Sequence, residues 1–184
     1  MKPDNPLYHF RYCPICGSPH FLVHDETSRQ CRDCGFLYYT NPRGATVAVI
    51  VNDLDEILVG TRAKDPARGT LDLVGGFAEL DETIEQSMIR EIREESGLDI
   101  QEHQLRYLFS QPNTYPFSGI CVKTIDMFFE IRLHGHPQIK SMDDISQLRW
   151  IPLQELNPAD IGLTSIRIGV ERYLRKWRQE STCK

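Results

Sequence analysis

Three carboxylates, Glu91, Glu94 and Glu95, lie at i, i+3 and i+4 near the end of a helical run, so all three emerge on one side of it. Like charges at that spacing repel, and the cluster is unfavourable unless something positive lies against it. Hard divalent cations prefer carboxylate oxygens and bring phosphate substrates with them, so this spacing suits metal-dependent phosphate chemistry. The competing reading is a solvated acidic helix face. Against it, the three carboxylates span an arc of roughly 100° that borders the apolar stripe of Ile84, Met88 and Ile92. Partial desolvation there makes them costlier without a metal. They also belong to a longer gapped pattern, G-x5-E-x7-R-E-I-x-E-E-x-G-L, which runs from Gly76 to Leu98. Gly76, Glu82, Arg90 and Gly97 hold its other fixed positions, and Gly97 stops the helix.

A second set of chemistry-bearing residues lies upstream. Cys13 and Cys16 form one C-x2-C pair, Cys31 and Cys34 another, with fourteen residues between the pairs. Four thiolates in two such knuckles make a closed tetrahedral site for Zn²⁺, structural because no position is left for substrate. A pair of disulfides is the alternative, and the N-terminal MKPDNPLYHFRYC has no apolar core of a secretion signal to favour it. A cytoplasmic location is expected on the same ground.

The elements that must position these groups read as one α/β domain behind a small ribbon. With 184 residues the chain has room for both. The ribbon is expected over 1–40, TNPRG (Thr40 to Gly44) is the linker, and the larger domain occupies 41–184. Ala45–Val51 and Glu56–Gly60 read as a hairpin, and Leu71–Phe77 leads into the Gly-rich turn before the helix. Leu105–Gln111, Thr124–Leu133 and Gln147–Ile151 read as further strands, and Thr164–Arg178 as an amphipathic helix with Thr164 as N-cap. No apolar run is long enough to span a membrane. The formal net charge of −5 argues against nucleic-acid binding through bulk positive charge. In the ribbon, Lys2, Arg11, Arg29 and Arg32 are balanced by Asp4, Asp25, Glu26 and Asp33, a poor reader of phosphate backbone.

The complete gapped pattern, with a four-cysteine ribbon immediately before it, resembles the Nudix hydrolase family, and within it the zinc-ribbon branch that includes NADH pyrophosphatases. The resemblance covers the chain from Cys13 to the final helix. It implies an α/β/α sandwich with a mixed sheet, Mg²⁺ or Mn²⁺ dependence, and hydrolysis of a nucleoside diphosphate linked to another moiety. It further implies Glu91 and Glu95 as main metal ligands, and Glu94 as a further ligand or positioner of the attacking water. By the same resemblance the Gly75 carbonyl completes the site, Arg90 and Glu82 orient these groups, and the active form is a homodimer. A carboxylate shortly before a Trp often closes the metal site in this branch. The matching residue is Asp144, six positions before Trp150, where the family more usually has Glu; Asp143 is its neighbour, and an ordinary loop aspartate is the plain alternative.

For the substrate, the branch carries SQPWPFPQS after the box, and this chain has SQPNTYPFSG from Ser110 to Gly119. The SQP start survives and the Trp does not. Tyr115 and Phe117 offer ring faces for adenine or nicotinamide, and Gln111 can bond a base edge or ribose. The alternative is a rigid Pro-rich loop with aromatic plugs. Tyr39, five residues after Cys34, Glu26, five before Cys31, and Phe77 match ribbon and pocket positions that touch substrate in the resembling enzymes. The nucleotide substrate these residues suggest is NAD(H), cleaved to nicotinamide mononucleotide and AMP. ADP-ribose or a nucleotide sugar is the nearest rival, and a non-catalytic nucleotide-sensing module is a rival of a different class. Removal of nucleotide caps from RNA uses the same chemistry but benefits from a basic groove, which only the C-terminal helix offers.

Overall fold

The computed structural model describes residues 1–140 and 145–182. It forms two compact units, Met1–Arg43 with Thr114–Thr124, and Gly44–Asn113 with Ile125 onward.

The first unit is built on a three-stranded antiparallel sheet in the order β1 (Phe21–Val23), β2 (Ser28–Cys31), β3 (Leu37–Tyr39), with Phe21 opposite Cys31 and Ser28 opposite Tyr39. Its core cluster is small: Cys13, Phe21 and Cys31, with Phe36 packed against them. So little apolar surface cannot hold a fold of this size by itself, and a covalent or metal cross-link must supply the rest. The four cysteines provide it. The segment before the first knuckle is tied down by Arg29, whose Nε donates to Leu7 O and Nη1 to Phe21 O, both at 2.7 Å.

The second unit is organised by β4 (Arg43–Asn52), whose apolar residues are buried on both faces. Val47, Val49 and Val51 face one core cluster, and Ala48 and Ile50 the other. That alternation follows from the two-residue period of a strand. Around it stand β5 (Glu56–Arg62), β6 (Leu71–Asp72), β7 (Arg106–Phe117) and β8 (Ile120–Leu133) in the order β6-β5-β4-β8-β7, with β9 (Ile145–Pro152) paired to β5. Helix α1 (Ile84–Ser96) covers one face through Met88 and Ile92. Helix α2 (Thr164–Thr182) covers the other through Ile166, Val170, Tyr173 and Leu174. The expected α/β/α sandwich results. Helix α2 begins at Thr164 itself and runs four residues beyond the predicted end.

The alternative reading of SQPNTYPFSG as a Pro-rich loop is overturned, and the strand expected to end at Gln111 runs further: β7 continues to Phe117, Ser118 and Gly119 turn at positive φ (49° and 78°), and β8 begins at Ile120. Two successive residues at positive φ are the pattern of a type I′ hairpin turn, whose twist matches that of the strands it joins. Pro112 and Pro116 are tolerated because β7 is the terminal strand of the sheet order among the described residues. Their spacing of four puts both nitrogens on one side of the strand, and an edge strand can leave that side unpaired.

Candidate active site

The local sequence fixes α1 at both ends. Thr83 caps its start, accepting from Gln86 N at 3.2 Å while Gln86 Oε1 accepts from Thr83 N at 2.9 Å. The helix closes at Gly97, whose N–H donates to Arg93 O. Its buried side holds Ser87, Met88, Ile92, Glu95 and Ser96, so Glu95 belongs to the inward face although it is ionisable. Exposure then grades outward: Glu95 is 5% exposed, the Glu91 side chain 13%, that of Glu94 51%.

The turn before the helix lies along β4. Thr46 N donates to Gly76 O and Ala48 N to Val74 O, each at 2.8 Å, and Ala78 N donates to Gly44 O at 3.1 Å. Gly75 has φ +154°, and a Cβ there would lie 2.1 Å from the Thr46 carbonyl oxygen. A Cβ on Gly76 would lie 2.4 Å from Glu91 Oε1. Gly75 therefore has to be glycine, because the obstacle is backbone, whereas a side chain at Gly76 would displace the Glu91 carboxylate. Gly75 N donates to Glu95 Oε2 at 2.9 Å. Glu91 and Glu95 thus converge on the same Gly75–Gly76 turn, from successive turns of one helix.

Arg90 fastens this arrangement. Its Nε and Nη2 take Glu82 in a fork at 2.6 and 3.0 Å, Nη2 also reaches Phe77 O at 3.2 Å, and Nη1 donates to Glu91 Oε1 at 2.8 Å and Glu94 Oε2 at 3.0 Å. The Arg90 hydrogen bond holds the Glu82 carboxyl below the usual carboxylate range. Burial pushes Glu91 the other way, above its ordinary value, against the pull of Arg90. A buried carboxylate whose charged form is disfavoured gains most from a cation placed against it. The donor set is all hard oxygen and fits a divalent ion of the Mg²⁺ class. Glu91 and Glu95 at the glycine turn would hold it.

The cysteine set is drawn together more tightly. Sγ atoms of Cys13 and Cys34 lie 3.7 Å apart and those of Cys16 and Cys31 3.6 Å apart, and all four lie within 4.8 Å of one another. Tetrahedral zinc–thiolate bonds of ~2.3 Å require sulfur–sulfur distances of about 3.8 Å. The Cys34 backbone N–H lowers the Cys31 pKa to about 6, so a thiolate is available at neutral pH. The set fits structural zinc. Among the described residues it is the one group of metal-ligand types gathered to this degree; of the three glutamates of α1, Glu91 and Glu94 share Arg90, and Glu95 turns to Gly75 N.

The remaining expected site residues fall in both units. Phe77, half-buried, and Gln111, half-buried with Nε2 on Pro112 O at 3.3 Å, lie in the second. Tyr115 and Phe117 lie in the first, two positions apart and so on one face of β7, with Phe117 59% exposed. Tyr39, 48% exposed, and Glu26, also exposed, are ribbon residues of that unit. Asp143 and Asp144 lie outside the described residues. Two features escaped the sequence reading. Arg62 pairs with buried Asp72 through Nη1 and donates from Nε to Pro66 O at 2.7 Å, bracing the chain just before the glycine turn. The signal was a lone aspartate inside the apolar run LDLV. Buried Glu130 accepts from Tyr173 Oη at 2.8 Å and from both Arg106 and Arg132, joining β8 to α2. No local spacing announces that network.

A family description, the NUDIX domain, matches residues 41–168, and a second, the NADH pyrophosphatase zinc ribbon domain, matches residues 9–39. The NAD-capped RNA hydrolase NudC of Vibrio vulnificus (strain CMCP6) is 29% identical over 172 residues, which cover 93% of this chain and 62% of that protein. Its namesake from Vibrio atlanticus (strain LGP32) is 35% identical over 146 residues, covering 79% of this chain and 51% of that one. The chain therefore spans between half and two thirds of the length of these curated relatives. In fold it is similar to a NUDIX hydrolase from Nitrosomonas europaea, with a TM-score of 0.66 at 24% identity over 92% of this chain and 93% of that one.

Proposed function

The chain belongs to the Nudix family, and from that premise we propose that it hydrolyses the pyrophosphate bond of a nucleoside diphosphate linked to another moiety, NAD(H) foremost, giving nicotinamide mononucleotide and AMP. The observation that carries this reading is the convergence of Glu91 and Glu95 on the Gly75–Gly76 turn, with Arg90 bridging Glu82, Glu91 and Glu94. The names of the curated relatives support NAD as the moiety cleaved, free or at the end of an RNA.

A divalent ion, Mg²⁺ or Mn²⁺, would supply charge neutralisation on the phosphate oxygens and lower the pKa of water when bound. Glu91 and Glu95 would hold it, with the Gly75 carbonyl and Asp144 as further ligands. Glu94 is the most exposed of the three carboxylates, so it can orient the attacking water and accept its proton. Arg90 keeps Glu94 and Glu91 in register with the turn. Within the unit that carries the glycine turn, Phe77 would stack on a ring of the substrate and Gln111 would bond a polar edge. Zinc holds the ribbon and takes no part in the reaction. The working form would be a cytoplasmic homodimer. No helix among the described residues is long and apolar enough to cross a membrane.

The test is a product assay with Mg²⁺ or Mn²⁺ on NADH, NAD⁺, ADP-ribose, an ADP-sugar and an NAD-capped oligonucleotide. AMP and reduced nicotinamide mononucleotide from NADH, abolished by Glu95→Gln in a folded protein, are the expected result. Preferential release of ribose 5-phosphate from ADP-ribose would replace the substrate and keep the chemistry. Tight nucleotide binding without turnover would replace the enzyme by a sensor.

A further inference from the structure

We propose that the ribbon carries a second nucleotide-binding pocket, in which a base of a single-stranded nucleic acid stacks on Tyr12 and Tyr38 while Arg11 meets its phosphate. The pocket is a cavity of about 450 Å³ lined by Phe10, Arg11, Tyr12, Pro14, Phe21 and Tyr38. That volume lies within the usual range of small-molecule sites, and four of the six lining side chains are aromatic. Phe21 forms a buried floor at 1% exposure, whereas Phe10, Tyr12 and Tyr38 are 42%, 66% and 40% exposed. Phe21, Phe36 and Tyr38 continue one another as a ladder of rings, with centroids 6.5 and 6.3 Å apart.

These exposed rings are held in place. Their segment, 10–12, is bracketed by Leu7, fully buried and pinned by Arg29, and by the zinc-site cysteine Cys13, which is 2% exposed. Asn5 adds a hydrogen bond from Nδ2 to Glu26 O at 2.8 Å. A pocket built on such anchors needs little ordering when a ligand enters. Arg11 is exposed and forms no ion pair among the described residues.

Aromatic faces beside a free guanidinium match a base with its phosphate. Stacking accepts any base, because every base has a π-face, and Arg11 supplies positive charge locally, where the phosphate lies. The balanced charge of the ribbon, which argues against backbone-driven binding, therefore leaves this mode open. A single strand is required because bases in a duplex keep their faces stacked on one another. The cavity is of nucleotide size and falls short of the broad surface a stable protein partner covers. It is also separate from the role expected of Tyr39, because neighbouring residues of β3 project to opposite faces.

The test is fluorescence anisotropy of the full chain with a labelled, uncapped, 5′-phosphorylated RNA 12-mer. Tyr12→Ala and Tyr38→Ala should each raise Kd about tenfold, and Tyr12→Phe should restore it. Arg11→Gln should weaken binding less and lower the salt slope by about 0.7. Zinc content of each variant reports that the ribbon is intact, and NADH hydrolysis should stay unchanged. The proposal is overturned if the wild type does not bind the RNA, or if the variants bind as well as the wild type. A change of oligomeric state by light scattering in Tyr12→Ala would also overturn it, by assigning the pocket to a second copy of the chain. NADH hydrolysis without RNA binding defeats this inference alone, and RNA binding without hydrolysis defeats the enzymatic reading alone.

Discussion

Alanine at two adjacent glycines should give opposite phenotypes. At Gly76 the new methyl would stand 2.4 Å from Glu91 Oε1 and 2.7 Å from Oε2, where ordinary contact begins at 3.4 Å. The Glu91 carboxylate must therefore move by about 1 Å. It is the end of a flexible side chain and can do so at little cost to folding. A reacting group displaced that far loses about 10²-fold in rate. At Gly75 the methyl would meet the Thr46 carbonyl at 2.1 Å and the Val47 Cα at 3.1 Å, with φ at +154°. Here the obstacle is the backbone of the central strand. Strain and overpacking together cost about 4 kcal/mol. In a domain of this size that lowers Tm by about 10 °C. Kinetics on NADH with the catalytic metal, beside thermal and urea unfolding, separate the two effects. Gly76→Ala should melt close to wild type and turn over about a hundredfold more slowly; Gly75→Ala should be destabilised outright. A Gly76→Ala enzyme with wild-type turnover would refute the placement of Glu91 as a working group.

Three further outcomes are expected. Arg90→Lys keeps the charge and loses the fork on Glu82 and the reach to Phe77 O, so kcat should fall by about 10- to 100-fold with a smaller change in KM; wild-type kcat would remove the bridging role. Metal analysis should find about one zinc per chain, and Cys31→Ser should abolish hydrogen-exchange protection in the ribbon strands, whereas a zinc-free but protected ribbon would contradict the tetrahedral site. Burial raises the Glu130 carboxyl, but hydrogen bonds from Arg132, Arg106 and Tyr173 outweigh it and hold its pKa below the ordinary 4.5. The stability this supplies is present above pH ~4.5 and is lost as pH falls through the lowered folded value. Glu130→Gln should cost about 2 kcal/mol at pH 7 in urea unfolding and progressively less below pH 4.5; a pH-independent difference would show that the charge is not what matters.

The parts of the molecule that were legible in the sequence are those whose cause is local. Gly97 stops α1, the period of Met88 and Ile92 sets its buried face, and the continuous apolar run 45–51 follows from a strand covered on both sides. The cysteine pairs carry their geometry in their spacing. Partnerships between distant segments were not legible. Arg90 could be assigned an orienting role, but its simultaneous hold on Glu82, Glu91, Glu94 and Phe77 O depends on how the turn folds back over the helix. Tyr173 and Glu130 are 43 residues apart and meet only because α2 lies across β8. The continuation of β7 beyond Gln111, which the sequence reading did not extend, had a local signal that two prolines masked. Ser118–Gly119 is a two-residue hairpin turn, and the alternating exposure along Gln111–Tyr115 is that of a strand.

The same two prolines bear on how the protein behaves in a crowded solution. A strand at the end of a sheet, as β7 is among the described residues, is the edge that another chain can copy, which is how sheets recruit neighbours into fibres and swapped assemblies. Tyr107, Phe109, Tyr115 and Phe117 would make such recruitment adhesive. Pro112 and Pro116 interrupt that edge twice, leaving no stretch of that end of the strand long enough to be zipped up. The segment can therefore carry its aromatic side chains at the edge of the sheet without offering a continuous backbone for another chain to pair with.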